Sequence, residues 1–402
     1  MSAPPATRSA QSDWAASGLA WLTGPAGGPP DFSRSAVLTR AREIAARFGS
    51  HTGVRADAGV LLAGRAALLG LHRAGRISAG GATRLLEAAD GWCALTLSRP
   101  EDLEALPALI DHPLAGAPWP ALRRWAARHP AARIAARAGL LDIPAAALGE
   151  TAPAEPVIRA IRPAHAPRPV RGAVVADLTS MWAGPLCGQL LARAGATVIK
   201  VESPSRPDGT RAGERAFFDW MNGGKLSCAA DFDRDADFLR GLLAAADVVL
   251  EGSRPAALPR RGLGPAGVAG RPGRVWMRIT AHGDGPDGAA RTGFGDDAAV
   301  AGGLVGHCGG GPVFCADAIA DPLTGLQAAL TVAESLARGG GEVITLSMAA
   351  VAASYAALGH SPPPHGLTAR PPARPHIEAS GPALGADTGF VRRLVAERTA
   401  AC

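Results

Sequence analysis

The sequence predicts an α/β protein, with a parallel-sheet domain in the C-terminal half and a smaller α/β domain before it. Strand-like and helical stretches alternate in the C-terminal half, helical spacing dominates the N-terminal half, and a Pro- and Arg-rich stretch separates the halves. We therefore expect five units: a helical segment packed on the large domain (1–75), a small α/β domain (76–155), a linker (156–171), a large domain (172–360) and a Pro-rich tail (361–402).

The C-terminal half shows the strand–helix–strand spacing that right-handed crossovers require, and such crossovers build a parallel sheet. Gly172–Leu178 and Thr197–Glu202 are strand-like, and Gly184–Ala194 between them has helical spacing. Asp247–Glu251 and Val275–Thr280 add two more strand-like runs. These runs are short and apolar, as expected for strands that are buried on both faces.

The N-terminal half is mainly helical, with one clear strand at Gly91–Leu97. Apolar residues recur at helical spacing in four stretches: Val54–Leu71, Ser78–Ala89, Pro100–Ile110 and Trp119–Ala127. The tail is expected to be extended apart from a short helix near Phe390–Glu397. The strand with its flanking helices predicts the small α/β domain.

Composition excludes several classes of protein. With 402 residues, 47% of them hydrophobic, the chain can bury a sizeable core. It has no apolar run of about 18 residues, so we expect no membrane span. Met1–Asp13 lacks an apolar stretch, so we expect no signal peptide. The six Cys lack paired spacing, which argues against disulfides and zinc and favours a cytoplasmic protein.

Charge gives a weaker indication of partners. The net charge is +6, but the Arg residues are scattered and aromatics are only 4%, so nucleic acid is not expected and an anionic small molecule suits the charge at least as well. The only lysines are Lys200 and Lys225. They are either retained as compact charges or present by chance.

A weak internal repeat links the two halves. Asp13–Gly24 (DWAASGLAWLTG) resembles Asp297–His307 (DAAVAGGLVGH), and a Gly-Pro turn follows each segment. Aligning Phe32 with Phe314 places Thr39 opposite Asp321. The first copy therefore has no carboxylate at the position of interest.

Asp321 is the main catalytic candidate. It precedes Pro322 and a clear helix, and an aspartate N-cap followed by proline is a common structural helix start, which the segment alone favours. A helix N-terminus also stabilises an ionised carboxylate, which can attack an acyl group. Nearby glycines could supply amide donors for an oxyanion, or could form only a flexible turn: Gly309, Gly310 and Gly311.

No other motif defines a chemistry. Glu202 stands about twenty residues after the first strand's loop, where a ribose-binding acid would lie, but the loop lacks the GxGxxG pattern of dinucleotide sites. We find no phosphate-binding P-loop, no zinc-protease motif, no nucleophile elbow and no metal-spaced Cys/His cluster. We therefore expect no metal.

Five segments, in order, resemble the family III CoA-transferases (CaiB/BaiF type), which include formyl-CoA transferase and carnitine CoA-transferase, with α-methylacyl-CoA racemase as a relative. They are DLTSMWAGPLCGQLLARAGATVIKVE (Asp177–Glu202), NGGKLSCAADF (Asn222–Phe232), ADVVLEGSRPAALPRRGLG (Ala246–Gly264), the strand ending at Thr280, and ADAIADPLTGLQAAL (Ala316–Leu330). The resemblance implies the fold of that family, with a Rossmann-like large domain. It also implies a permuted or fused-and-trimmed domain order, because the small domain comes first here.

The resemblance implies a function and a set of site residues. Asp321 would be the nucleophile that forms a covalent aspartyl intermediate while CoA moves from an acyl-CoA to a small carboxylic acid. The implied CoA-binding positions are Ser180, Met181, Trp182, Ala183, Asn222, Lys225, Arg254, Arg260, Thr280 and His282. The implied assembly is a homodimer.

Two alternatives stay open. One is an acyl-CoA racemase or isomerase. The racemase histidine lies in a Gly-His-Asp segment, which here reads Gly295-Asp296-Asp297, although His307 could substitute. The other is a CoA-binding or partner subunit without catalysis.

Overall fold

The computed structural model describes residues 9–114, 116–364 and 366–400, so the outermost residues of the first and last expected units lie outside it. Its strands are β1 (Thr83–Ala88), β2 (Gly91–Thr96), β3 (Ala145–Ala147), β4 (Val157–Ala160), β5 (Val174–Leu178), β6 (Thr197–Glu202), β7 (Leu226–Ala229), β8 (Val248–Glu251), β9 (Val275–Thr280), β10 (Val305–Cys308), β11 (Gly311–Phe314) and β12 (Glu342–Ser347).

The helices divide between the two halves of the chain. Those of the first half are α1 (Ala10–Ala16), α2 (Leu19–Leu22), α3 (Ala36–Thr52), α4 (Ala58–Leu69), α5 (Pro100–Glu104), α6 (Leu106–Ile110), α7 (Pro118–Ala126) and α8 (Ala131–Leu140). Those of the second half are α9 (Ala183–Arg193), α10 (Arg215–Asn222), α11 (Ala236–Ala245), α12 (Gly295–Ala301), α13 (Ala320–Ala337), α14 (Met348–Ala356) and α15 (Thr388–Ala400). Short 3₁₀ turns lie at Gly209–Ala212 and Pro259–Arg261.

The large sheet has seven strands in the order β4-β12-β9-β8-β5-β6-β7. Six are mutually parallel, and β4 pairs antiparallel with β12 at one edge. Counted along the chain, the parallel strands follow the order 3-2-1-4-5-6 of a Rossmann fold. The predicted α/β class with a Rossmann-like large domain is therefore confirmed.

Apolar burial on both faces explains why these strands form. All six residues of β9 are buried, as are all four of β8. One face is covered by the core that α3, α4, α9, α13 and α14 share, and the other by α11 and α15. A parallel sheet requires this coverage, because it has no solvent-facing side.

The N-terminal helices are integrated into the large core. Helix α3 packs along α13, and Arg47 of α3 pairs with Glu334 of α13 at 2.6 Å. The buried residues of α1 to α4 belong to the same apolar cluster as those of α9 and α13. Residues 9–69 thus support the large sheet rather than forming a separate core.

A second, smaller unit contains the antiparallel sheet β1-β2-β3 and helices α5 to α8, with its own apolar core. The expectation of a helix over Ser78–Ala89 is wrong, because Thr83–Ala88 is strand β1, paired with β2 from Thr83 opposite Thr96. Two adjacent leucines fit a helical or an extended pattern equally well, and the partner strand decides between them. Strand β4 likewise lies within the stretch expected to be a linker.

Two further features lie in the C-terminal half: a β-hairpin and a helix near the end of the described residues. Strands β10 and β11 form an antiparallel hairpin, and α15 packs on α11 and β7. The tail therefore ends in a docked helix, close to where one was expected. Among the residues described, no helix combines the length and apolarity needed to cross a bilayer.

Candidate active site

The strand order reverses between β5 and β8, and ligands of open α/β sheets bind outside the carboxyl ends of strands at such a point. The loop after β5 presents Ser180 and Met181 to solvent, and Met181 is 42% exposed with a φ of 74°. A left-handed backbone is strained for methionine, so surrounding contacts must hold it. Both oxygens of Asp208 provide one such contact by accepting the Met181 N–H, at 3.2 and 3.3 Å.

The two lysines lie beneath this loop. The Lys200 ammonium is buried, pairs with Asp208 at 2.7 Å and donates to the Thr179 carbonyl oxygen at 3.0 Å. The Lys225 ammonium is also buried and donates to Asp177 (2.9 Å), Asn222 (3.1 Å) and the Pro185 carbonyl oxygen (2.9 Å). Each ammonium is paired with a buried carboxylate and donates to further protein oxygens, so both lysines hold the loop in place.

The ten expected CoA-binding residues separate by exposure. Four reach the surface at the carboxyl edge of the sheet: Ser180, Met181, Arg254 and Arg260. Six have buried side chains: Trp182, Ala183, Asn222, Lys225, Thr280 and His282. Asn222 and Lys225 bond to each other, and Thr280 donates to the Leu346 carbonyl oxygen at 3.1 Å. We therefore reassign the expected phosphate contact of Lys225 to support of the loop.

Asp321 opens helix α13, although not as its cap. Ile319 is the N-cap, and Asp321 is the second helical residue, partly exposed to solvent. The expected N-cap position is thus shifted by two residues. The Gly295 N–H, at the start of α12, donates to the Asp321 carboxylate. A Cβ on Gly295 would collide with that carboxylate, so glycine is required for this approach.

Helix α13 is tightly held at this end. At Gly325, one turn after Asp321, an added Cβ would lie 2.5 Å from the Ala183 carbonyl oxygen of α9. This close helix packing fixes Asp321 beside the first turn of α9, which begins directly after Trp182. The nucleophile candidate and the loop after β5 are therefore neighbours through α9.

Arg65 faces three carboxylates: Asp296, Asp317 and Asp321. Its guanidinium pairs with Asp317 at 2.6 Å and lies over the rings of Trp182 (5.5 Å) and Phe217 (5.6 Å). Sequence reasoning missed this residue, which comes from α4 in the N-terminal segment. One signal was present, because Arg65 is the only charged residue in the otherwise apolar α4 (AGVLLAGRAALL).

The segment before α13 is strained. Ala316 and Ala318 flank Asp317 with φ of 56° and 41°, which alanine rarely adopts. The Ala316 N–H donates to the Thr23 hydroxyl and the Ala318 N–H to Asp296, both at 3.0 Å. Strain of this kind concentrates at functional sites, where neighbouring contacts maintain it.

Electrostatics make the cluster titrate near neutral pH. Burial raises the pKa of Asp321 to about 7, against the attraction of Arg65. Burial and the charge of Asp317 raise the pKa of Asp296 to about 6. Nearby carboxylates in a poorly solvated site repel one another, so only some of them are ionised at neutral pH. A carboxylate in this range can act as a nucleophile or exchange a proton.

The other expected groups lie elsewhere. The turn over Gly309–Gly311 closes the β10–β11 hairpin, where Arg76 donates to the Gly310 carbonyl oxygen and Trp92 packs on Gly311. These contacts belong to the small unit, whereas the glycine that contacts the Asp321 carboxylate is Gly295. The oxyanion role expected of the hairpin turn stays a prediction. The His307 ring packs edge-on against His360 at 4.7 Å.

Comparison with known proteins identifies a family for this chain. The model of CoA-transferase family III matches residues 170–377. A Mycobacterium tuberculosis protein named a probable fatty acyl-CoA transferase is 38% identical over 135 residues, which cover 30% of this chain and 34% of that protein. The succinate–glutarate CoA-transferase of Agrobacterium fabrum is 31% identical over 229 residues, or 51% of this chain and 57% of that enzyme.

Two solved structures also match. The crystal structure of a hypothetical protein from M. tuberculosis has a TM-score of 0.43 and 32% identity, covering 48% of this chain and 57% of that one. A CaiB/BaiF family protein from Brucella suis has a TM-score of 0.42 and 30% identity, covering 47% and 55%. The chain spans about a third to somewhat over half of the length of the two curated relatives. The family match spans more than half of this chain, which belongs to CoA-transferase family III.

Proposed function

We propose that this chain is a CoA-transferase that moves CoA from an acyl-CoA thioester to a carboxylic acid, with Asp321 as the covalent nucleophile. The observation that carries the proposal is the setting of Asp321: a partly exposed carboxylate with a pKa raised by burial to about 7, fixed at the start of α13 between the Gly295 N–H and Arg65. The names of the relatives support the same reaction class.

In the first half-reaction, an Asp321 carboxylate oxygen attacks the thioester carbonyl carbon of the donor. The C–S bond breaks, CoA leaves as the thiolate, and a mixed anhydride joins Asp321 to the acyl group. The thiolate then attacks the aspartyl carbonyl carbon and releases the donor as a free carboxylate. Asp321 is left as a CoA thioester.

In the second half-reaction, the acceptor carboxylate attacks the aspartyl thioester, which releases the thiolate and forms a second anhydride. The thiolate attacks the acceptor carbonyl, and Asp321 leaves as a carboxylate. No net proton transfer is needed. Each attack on the aspartyl carbonyl puts negative charge on its oxygen, where the Gly295 N–H would donate, worth roughly 3 kcal/mol for such a donor.

The CoA moiety would lie along the carboxyl edge of the sheet. Arg254 and Arg260 are exposed there and suit the phosphates, while Ser180 and Met181 line the loop above the buried lysines. In this proposal Lys200, Lys225 and Asn222 shape the binding loop rather than touch the cofactor. Binding at this edge positions the thioester for attack.

Acylation of Asp321 is the direct test. The protein is incubated with a panel of acyl-CoAs and treated with hydroxylamine or borohydride. After digestion, mass spectrometry measures the mass of the peptide that contains Asp321. We expect an adduct in the wild type and none in Asp321→Asn. Asp237→Asn is the matched control, because Asp237 is also the second residue of a helix, α11, but its side chain is exposed away from the site. An adduct that persists in Asp321→Asn refutes the proposal.

The alternatives are outcomes of the same experiment. Exchange of an α-proton without a trapped adduct would identify a racemase or isomerase, and CoA binding without either would identify a non-catalytic subunit. The homodimer implied by the resemblance stays a prediction, which sedimentation equilibrium of the purified chain tests.

A further inference from the structure

Arg65 has hydrogen-bond donors that the protein does not use. Its Nη1 donates to Asp317 at 2.6 Å, and no other oxygen in the described part of the chain accepts a hydrogen bond from the guanidinium. A guanidinium carries several N–H donors in a planar fork, and two of them can grip one carboxylate. The side chain is 23% exposed, and its unpaired nitrogens are not among the buried atoms that lack a partner. The unused donors of Arg65 therefore reach solvent.

The guanidinium is nevertheless held in one orientation. It lies over the rings of Trp182 (5.5 Å) and Phe217 (5.6 Å), and both rings are buried. The buried Asp317 fixes one of its ends. An arginine that is already ordered loses little side-chain entropy when it binds a ligand. Arg65 is thus a preorganised donor for an anion.

Arg65 and Asp321 attract each other without an ion pair. Arg65 is the cation that acts most strongly on the Asp321 carboxylate. Among the residues described, the ion pair of Arg65 is with Asp317, and none joins it to Asp321. Both Arg65 and Asp321 are partly exposed, so a small solute can reach each of them.

CoA itself does not need this cation. Its phosphates are assigned to Arg254 and Arg260 at the carboxyl edge of the sheet, and the acyl carbon of a thioester carries no negative charge. The proposed reaction does bring one anion to Asp321, the carboxylate of the acceptor acid. A carboxylate matches the donor geometry of a guanidinium.

Charge counting shows when this anion can enter. In the free protein Arg65 faces three carboxyls, which we call the acid cluster: Asp296, Asp317 and Asp321. Conversion of Asp321 to a CoA thioester removes one negative charge from the cluster. The acceptor carboxylate brings one negative charge back, so its entry restores the earlier balance and adds no further repulsion.

We propose that Arg65 binds the carboxylate of the acceptor acid through its unused donors and holds it beside the acylated Asp321. One carboxylate oxygen accepts from the guanidinium, and the other attacks the aspartyl carbonyl carbon. The C–S bond of the aspartyl thioester breaks, and CoA leaves as the thiolate. The role in transfer rests on the proposed function, whereas binding of a carboxylate beside an uncharged residue 321 does not.

Binding of propionate tests this subsite without any acyl-CoA. Asp321→Asn imitates the uncharged state, so at pH 8 we expect propionate to bind this variant about tenfold more tightly than the wild type, in which Asp321 is largely ionised. Propionamide, a neutral analogue of similar shape, should not distinguish the two proteins. Isothermal titration calorimetry measures the affinities. Propionate binding that is no tighter in Asp321→Asn, or that propionamide matches, overturns the proposal.

Gly80 offers a matched pair of variants that leave Arg65 in place. A Cβ added to the exposed Gly80 would lie 3.7 Å from Arg65 Nη2, and only Arg65 lies within 4 Å of it among the described residues. In the Asp321→Asn protein, Gly80→Asp should place its own carboxylate against Arg65 and weaken propionate binding about tenfold or more. Gly80→Asn adds the same bulk without the charge and should retain the binding. Equal effects of the two substitutions would refute the assignment to Arg65.

Removal of Arg65 is best made together with its partner. Arg65→Gln combined with Asp317→Asn removes both charges of the pair, so no buried carboxylate is left without its cation. In the Asp321→Asn background this double change should abolish the preference for propionate over propionamide. Arg84→Gln is the control, because Arg84 is also stacked over a tryptophan, Trp119 at 4.4 Å, but lies on β1. A preference that survives without Arg65 contradicts the proposal.

Turnover tests the role in transfer. With Asp321 intact, and at about pH 9, where it is ionised, the double change should raise the KM of the acceptor acid about tenfold or more and leave the KM of the acyl-CoA within about twofold. An unchanged KM of the acceptor overturns the role of Arg65 even where acylation of Asp321 is found. If Asp321 is not acylated, the proposed function fails, and the propionate measurements still decide whether the subsite exists.

Discussion

Arg65 is the residue on which the charge state of the site depends. It lies among Asp296, Asp317 and Asp321, pairs directly with Asp317, and is held over Trp182 and Phe217. Burial raises the pKa of Asp321, and Arg65 is the largest influence in the opposite direction. The guanidinium therefore keeps the pKa of Asp321 from rising beyond the neutral range.

Replacing Arg65 by Gln should move the pH dependence of acylation. Asp321 attacks only when ionised, so the wild-type rate should climb with pH up to about 7 and then level off. In Arg65→Gln the loss of the attracting charge raises the pKa of Asp321. The rising part of the pH–rate profile, its acid limb, should therefore shift to higher pH by about one unit or more. Single-turnover acylation across pH measures it.

The matched control for this prediction is Arg73→Gln. Arg73 comes from the same N-terminal segment and stacks over Trp21, but it donates to the carbonyl oxygens of Gly28 and Trp21 rather than to the acid cluster. Arg65→Lys should return the limb part of the way, since it restores the charge without the planar stacking. An unchanged limb in Arg65→Gln would contradict the electrostatic role.

Substitutions at Gly295 and Gly309 test which glycine matters: the one that contacts Asp321 or the one in the turn expected from the sequence. Gly295→Ala should reduce the acylation rate about a hundredfold, because its Cβ collides with the Asp321 carboxylate and displaces the N–H donor. Gly309→Ala should retain nearly full activity, because the space around an added Cβ is open among the described residues. Equal effects of the two substitutions would restore the hairpin turn as a candidate.

At the scale of elements, the loop after β5 depends on two buried ion pairs below it. Lys225→Met leaves Asp177 buried without its cation, so we expect a loss of about 3–5 kcal/mol in the free energy of unfolding. Arg240→Met removes an exposed pair with Asp237 and should cost no more than about 0.5 kcal/mol. Urea unfolding measures both, and similar losses would show that the Lys225 pair is not special.

Elements with strong local patterns were predictable from the sequence. The bounds of β6 and β9 agree with the predicted strands, because each is an apolar run between clear turn signals. Strand β1 was not predictable, because its extended form comes from pairing with β2. Burial of Lys225 was equally hidden, since it depends on where Asp177 and Asn222 meet in the fold.

The same limit applies to the site. Asp321 could be found because it combines a local feature, an acid at a helix start, with a place in the fifth of the segments that resemble the family. The environment that sets its pKa comes from residues distant in sequence: Arg65 from α4, Gly295 and Asp296 from α12. Only tertiary packing brings them together, so the nucleophile candidate was predictable from the sequence and the groups around it were not.

At the scale of the whole molecule, the site draws on every part of the chain that packs around it. The N-terminal helices contribute Arg65, the small unit brings Thr83 within 3.5 Å of Asp296, and the large domain contributes Asp321. The order of the units along the chain is therefore compatible with one assembled cluster. Acyl transfer and stability should respond to the same carboxyls.

The buried acids should also make the protein less stable as pH rises from about 4 to about 7. Burial raises the pKa of Asp297 to about 7, so the folded state keeps a proton that the unfolded chain loses near pH 4, and ionising it in the fold costs stability. Burial lowers the pKa of His282 to about 3, so this residue makes the protein more stable as pH rises toward about 6.5, the ordinary pKa of an unfolded histidine. Comparing a variant with the wild type is therefore needed to isolate the effect of the acids. Because the amide never ionises, the free energy of unfolding of Asp297→Asn relative to the wild type should increase by about 2–4 kcal/mol between pH 4 and pH 8, as measured by urea unfolding. The exposed Asp237→Asn should show no such gain, and a pH-independent difference for Asp297→Asn would mean that this carboxyl is ionised in the fold throughout the range.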